Sequence, residues 1–216
     1  MTWRLLARKC PTRSMTVVGD LAQTGSLAGA TDWGAVLRPH VGEQWRLAQL
    51  TVNYRTPAEI MAVAADVLEA SDAVTAPPRS VRSTGVPPVA EQVTETELLP
   101  RVAGLTAGLA DQGGTVAVIV PPSRVDAVVD CLSGAFPKVS SGPAADSSAG
   151  PVVLLPAEAK GLEFDSVLLV DPQALLDEGV RGHSDLSDAL TRPTQRLTVL
   201  HPGVLPAELH RLTDED

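Results

Sequence analysis

The stretch EAKGLEFDSVLLVD, residues 158–171, decides how the rest of the chain is read. Its second half is a continuous apolar run, the composition of a strand buried on both faces rather than one alternating between core and water. Its first half puts a lysine, a glycine and acidic residues at the mouth of that strand. Lys160 is one of only three lysines in the chain. Gly161 acts as a hinge, because glycine reaches backbone conformations that other residues avoid.

Similar runs recur on either side. GTVAVIVPP, PVVLLP and RLTVLH read as buried strands. SMTVVGDLAQ reads as a short buried strand ending in a Gly-Asp turn, and QWRLAQLTVNYR as another strand. Helical patterns lie between them. In TPAEIMAVAADVLEA, Thr56 is a candidate N-cap, Pro57 suits the first helical position and Glu59 falls in the first turn. ETELLPRVAGLTAGLADQ reads as an interrupted helix, SRVDAVVDCLSGAF as a helix capped by Ser123, and SDLSDALTR as a further helix. MTWRLLARKC reads as an amphipathic helix rather than a leader, since it lacks an apolar h-region. Residues 72–92 are extended or loop, and the acidic end LTDED is expected to fray. The alternation implies an α/β fold: a mostly parallel sheet with helices on both faces. Ligands of such sheets bind beyond the carboxyl ends of the strands, where residues 19–23, 53–55, 160–163 and 191–192 are expected.

Composition narrows the class further. A length of 216 residues suits one α/β domain, or one domain with a piece of another. No apolar run approaches membrane-spanning length. Cys10 and Cys131 lie far apart with no metal-type spacing, which reads as two reduced thiols of a cytoplasmic protein. A net charge of −9 argues against broad attraction to nucleic acid.

Four strings occur in one order: VVGDLAQ, LTVNYRTPAEI, AKGLEFD and ALTRPTQRL. Together they resemble motifs three to six of the carboxy-terminal half of a UvrD/Rep-type superfamily-one helicase motor. The resemblance implies a RecA-like fold and an ATP site with Mg²⁺, shared with an N-terminal motor lobe of the same protein. It implies that Gln23 senses the γ-phosphate and that Tyr54 stacks on adenine. It also implies that Arg55 reaches the γ-phosphate, that Gly161 and Glu163 approach the ribose, and that Arg192 is an arginine finger. Phe164 is expected to pack inward, Asp165 to fix the loop, and Lys160 to position rather than catalyse. Pro193 disfavours helix at the residue before it, so the helix should stop there and present the Arg192 guanidinium outward. Each residue also has a plainer reading: Gln23 as a polar turn residue, Arg55 as a partner of Glu59, and Arg192 as a helix-terminal cation favoured by the dipole.

The chain contains no GxxxxGK[ST] loop for the phosphates. In the family the Asp-Glu pair that holds the metal lies just upstream of a helix like MTWRLLARKC. Residues 1–49 are therefore expected to be the tail of a first lobe and residues 50–216 a second lobe, inactive alone. Leu155, Pro156 and Ala157 stand where the family tends to place a Thr and a His on the nucleic-acid backbone. Ser26, Leu27 and Gly29 stand where it places base-stacking aromatics. A nucleic-acid track is weakly supported, and the wording comes nearest the HelD-like branch, whose members act on RNA polymerase. The alternatives are a non-catalytic remnant that binds a protein partner and a fragment of a true DNA helicase.

Overall fold

The continuous apolar runs become strands of one seven-stranded sheet in the order β5-β6-β4-β7-β8-β3-β9, with every pairing parallel. The computed structural model describes residues 2–10, 12, 14–19, 32–70, 77–178 and 182–214. The strands of this sheet are β3 (Val89–Gln92), β4 (Val116–Ile119), β5 (Ser140–Ser141), β6 (Val152–Leu154), β7 (Phe164–Val170), β8 (Pro193–His201) and β9 (Thr213–Asp214). A separate parallel pair joins β1 (Val52–Asn53) to β2 (Arg79–Ser80). The helices are α1 (Thr2–Lys9), α2 (Trp33–Val41), α3 (Ala58–Ala70), α4 (Leu98–Asp111), α5 (Val125–Ala135), α6 (Pro156–Ala159), α7 (Pro172–Glu178) and α8 (Gly182–Leu190).

Successive residues of a strand face opposite sides, and both sides here are covered. Ala117, Ile119, Val167, Leu169 and Val199 face α3, α6, α7 and α8. Val116, Val118, Leu168, Val170 and Leu200 face α4 and α5. This double burial explains why these strands read as unbroken Val/Leu/Ile runs.

Several local expectations are corrected. Residues 14–19 carry no strand, and Val18 is 84% exposed. So short a stretch needs a neighbouring strand to be held extended, and none lies beside this one among the described residues. QWRLAQLTVNYR supplies only the two residues of β1, leaving Leu47 and Leu50 exposed. Within residues 72–92, expected to be extended or loop, 89–92 take the extended alternative as a sheet strand, β3. The tail does not simply fray, because Thr213 pairs with Val89 in β9; residues 215–216 lie outside the described residues. Helix α4 is uninterrupted: Pro100 falls in its first turn, where the missing N–H has no helical partner to lose. Ser123 does not cap α5. Its hydroxyl donates to Glu178 Oε1 at 2.5 Å, and a short 3₁₀ turn precedes the helix. The two cysteines are unpaired, with Cys131 Sγ donating to the Leu99 carbonyl at 3.3 Å. No helix among the described residues is long and apolar enough to cross a membrane.

Candidate functional site

The candidate residues do not sit at the carboxyl ends of the main sheet. Residues 160–163 immediately precede β7, and Thr191 and Arg192 immediately precede β8, so both segments lie at amino ends. The reason is topological: in a parallel sheet each crossover returns the chain to the amino end of the next strand, and these residues are the last of their crossovers. Asn53 ends a strand and Arg55 follows it, but that strand is β1 of the small separate pair.

The segment after β1 is folded by its own side chains. Asn53 Oδ1 accepts the backbone N–H groups of Arg55 at 2.9 Å and Thr56 at 3.3 Å, an Asx-type turn. Thr56 is buried and does not cap α3. Its hydroxyl donates to the Thr191 carbonyl at 3.4 Å, tying the turn before α3 to the turn before β8. Arg82 donates to the Arg55 carbonyl at 3.3 Å. This arrangement brings Arg55 Nη2 within 2.5 Å of Glu163 Oε1, with both side chains 45% exposed.

Arg55 therefore pairs with Glu163 and not with Glu59. Glu59 accepts from Gly85 N–H at 2.9 Å and from the Ser83 hydroxyl. The Ser83 hydrogen bond is the main cause of a carboxyl pKa lowered from 4.5 to about 2. A depressed carboxylate stabilises the fold above its ordinary value and loses that contribution as pH falls through its folded value. Unfolding midpoints in urea should accordingly decline between pH 4.5 and about 2, and Glu59→Gln should flatten that part of the profile. An unchanged slope in the variant would contradict this assignment.

Arg192 is placed differently from expectation. Helix α8 ends at Leu190, close to the anticipated stop, but the guanidinium is not presented outward: the residue is 2% exposed. Its Nε donates to the Asp188 carbonyl at 2.8 Å, Nη1 to the Leu162 carbonyl at 3.3 Å and Nη2 to Thr191 Oγ1 at 3.0 Å. The carbonyls freed at the end of α8 are natural partners for a cation, so the side chain folds back over them. Burial pushes the guanidinium pKa down. Asp188 opposes that, Arg55 adds to it, and Glu163 opposes it again. Residues from three separate segments thus share one electrostatic field.

The remaining candidates fall around this cluster. Tyr54 is 75% exposed, its ring available to a flat partner. Gly161 has φ +81°, a left-handed conformation that a side chain would strain. Phe164 is buried, as expected. Asp165 accepts from Thr115 N–H at 2.8 Å and from Gln195 Nε2 at 2.7 Å, fixing the start of β7 between β4 and β8. Gln23 lies outside the described residues. Gly19 sits under Trp33, where a Cβ would come within 3.0 Å of the ring. The sequence reading missed the Thr56 tether and also Asp188, a buried carboxylate 3.0 Å from Lys160 Nζ. The one signal for Asp188 was an acid within the apolar stretch LSDAL.

Of the groups gathered here, the Arg55–Glu163 pair and the Tyr54 ring are open to a ligand, while the Arg192 guanidinium is held inside. The described residues hold no group of three His, Cys, Asp or Glu able to hold a metal. The chain has no phosphate-binding loop either, so these residues alone do not make a complete nucleotide site.

No protein-family model matches the sequence, and no curated protein matches it. Among solved structures, the chain is similar to the C-terminal domain of a possible DNA helicase from Lactobacillus plantarum WCFS1. That similarity has a TM-score of 0.59 and 20% identity, over 76% of this chain and 99% of that one. An arterivirus helicase, nonstructural protein 10, solved with DNA, aligns with TM-score 0.43 and 14% identity, over 73% of this chain and 36% of that one. The architecture is RecA-like α/β, with the fold of a helicase C-terminal domain.

Proposed function

We propose that the chain is the second motor lobe of a UvrD/Rep-like ATPase, with residues 1–49 the tail of a first lobe that carries the P-loop and the Mg²⁺ ligands. The observation that carries this reading is the convergence of Arg55, Glu163 and Arg192 from three segments at one end of the structure. Bound ATP would supply the phosphoryl group for transfer to water. Tyr54 would stack on adenine, Glu163 would accept from the ribose with Gly161 allowing close approach, and Arg55, Arg192 and Gln23 would face the phosphates. An ion pair as exposed as Arg55–Glu163 is worth only about 0–1 kcal/mol, so a phosphate can draw Arg55 away at little cost.

Joined to a first lobe of this motor type, the chain should support ATP hydrolysis that neither part shows alone; a joined protein no faster than its P-loop lobe would contradict the reading. Tyr54→Ala in that joined motor should weaken ATP binding by about 1–3 kcal/mol, roughly five- to 150-fold, with a smaller effect on turnover. Unchanged affinity would remove the stacking role.

A finer reading follows from the carboxyl end of β6. Leu155, Pro156 and Ala157 line a cavity of about 110 Å³ with Pro122, Leu175 and Asp185. Its wall is apolar apart from the Asp185 carboxyl, whose pKa burial raises. A polynucleotide backbone would find no side-chain donor among these residues. This favours the HelD-like role at cytoplasmic RNA polymerase over strand tracking. Co-sedimentation with RNA polymerase, without salt-sensitive binding to single-stranded DNA, is the expected result. Strong salt-sensitive DNA binding would favour a true DNA helicase, and polymerase binding indifferent to nucleotide would favour a protein-binding remnant.

A further inference from the structure

Asp188 lies in the last turn of α8 and is 2% exposed. One oxygen, Oδ2, pairs with Lys160 Nζ at 3.0 Å. The other, Oδ1, is buried and receives no hydrogen bond. Arg192 Nη2 stands 4.0 Å from it, too far for a hydrogen bond, and donates to Thr191 Oγ1 instead. A buried carboxylate with one oxygen unfilled attracts the nearest cation strongly, because little solvent screens the pair. Burial raises the Asp188 pKa, and Lys160 and then Arg192 oppose that rise.

We propose that Asp188 is a positioning residue for Arg192: it holds the guanidinium retracted over the end of α8 and shares that hold with Lys160, so that the two cations compete for one carboxylate. Arg192 is bonded to backbone carbonyls and a hydroxyl, while Asp188 acts on it through its field. Such a hold sets direction yet leaves the guanidinium able to move toward the outer edge, where Arg55 and Glu163 lie. Drawing Lys160 away leaves Arg192 as the nearest remaining cation and tightens its retraction. Neutralising Asp188 loosens it. The significance for turnover rests on the reading of Arg192 as the group brought to the phosphates; the retraction itself does not.

The test uses the 216-residue chain and phenylglyoxal, which modifies accessible guanidiniums, with rates mapped by peptide mass spectrometry. Arg101, paired with Glu91 outside this cluster, is the internal reference. Asp188→Asn keeps the side-chain shape and removes the charge. The attraction lost at 4.0 Å makes a rise of roughly tenfold in Arg192 modification the expected scale. Lys160→Met should do the opposite and slow Arg192 modification. A residue that merely supports the fold would make both variants faster, and that result overturns the proposal, as does an unchanged rate in Asp188→Asn. Should Asp188→Asn fail to fold, Lys160→Met decides alone: slower supports, unchanged or faster overturns. Failure of the ATPase reading would show separately, as a joined motor whose turnover ignores Arg192 while the modification contrast persists.

Discussion

Replacing Arg192 by alanine in a motor joined to its P-loop lobe is expected to cut turnover by about 10³–10⁵-fold while nucleotide binding remains measurable. The scale follows from the role. A guanidinium that reaches the transferred phosphoryl group neutralises charge that develops in the transition state, so its loss falls on the chemical step rather than on affinity. Arg192→Lys should recover little of the rate, since an ammonium carries the charge without the planar fork. Alanine also removes the bonds to the Asp188 and Leu162 carbonyls and leaves Asp188 to Lys160 alone. A melting curve on the variant separates that structural cost from the catalytic one. Turnover near wild type would remove the finger assignment, leaving Arg192 as the helix-terminal cation its burial would also suit.

Leu168→Ala is expected to cost about 2–5 kcal/mol of stability, the range for deleting a fully buried leucine side chain. Leu168 is 0% exposed at the centre of β7, opposite Val118 of β4 and Thr198 of β8, on the face covered by α4 and α5. A domain is stable by only about 5–15 kcal/mol, so this one change removes a large fraction. The urea midpoint should fall with the slope unchanged. A midpoint that stays put would contradict the central place of β7. The loop of residues 160–163 and the Arg192 turn are both anchored on strands of this core, so the variant should also lose any activity the joined motor has as it approaches its lowered midpoint.

The core of this architecture was legible because double burial writes itself as composition. The runs at 116–119, 152–154 and 167–170 are wholly apolar, 197–200 is apolar but for Thr198, and all four lie within strands. Short strands carry no such mark. Residues 89–92 follow two prolines and 140–141 are serines, and they join the sheet by backbone pairing that any sequence can supply. The reverse error occurred at residues 14–19, where a short stretch read as a strand has no neighbouring strand to hold it. At the site, the grouping of residues 54–55, 160–163 and 192 came from the order of short motifs; in the structure Arg55 pairs with Glu163, and Arg192 donates to the carbonyl of Leu162 next to it. Their edge of the sheet was misjudged, because strand-end arguments need strand starts to within a residue or two. The retraction of Arg192 was out of reach for another reason. It depends on carbonyls and on a carboxylate one turn earlier, and sequence spacing does not say whether an arginine turns toward them or toward water.

The central claim is that this chain supplies half of an ATP site. The most direct measurement is steady-state ATP hydrolysis by the 216-residue chain, by a P-loop lobe of the same motor type, and by the two covalently joined. The account predicts background rates for each part and clear turnover for the joined protein. Hydrolysis by the chain alone, or a joined protein no faster than its P-loop lobe, would contradict it.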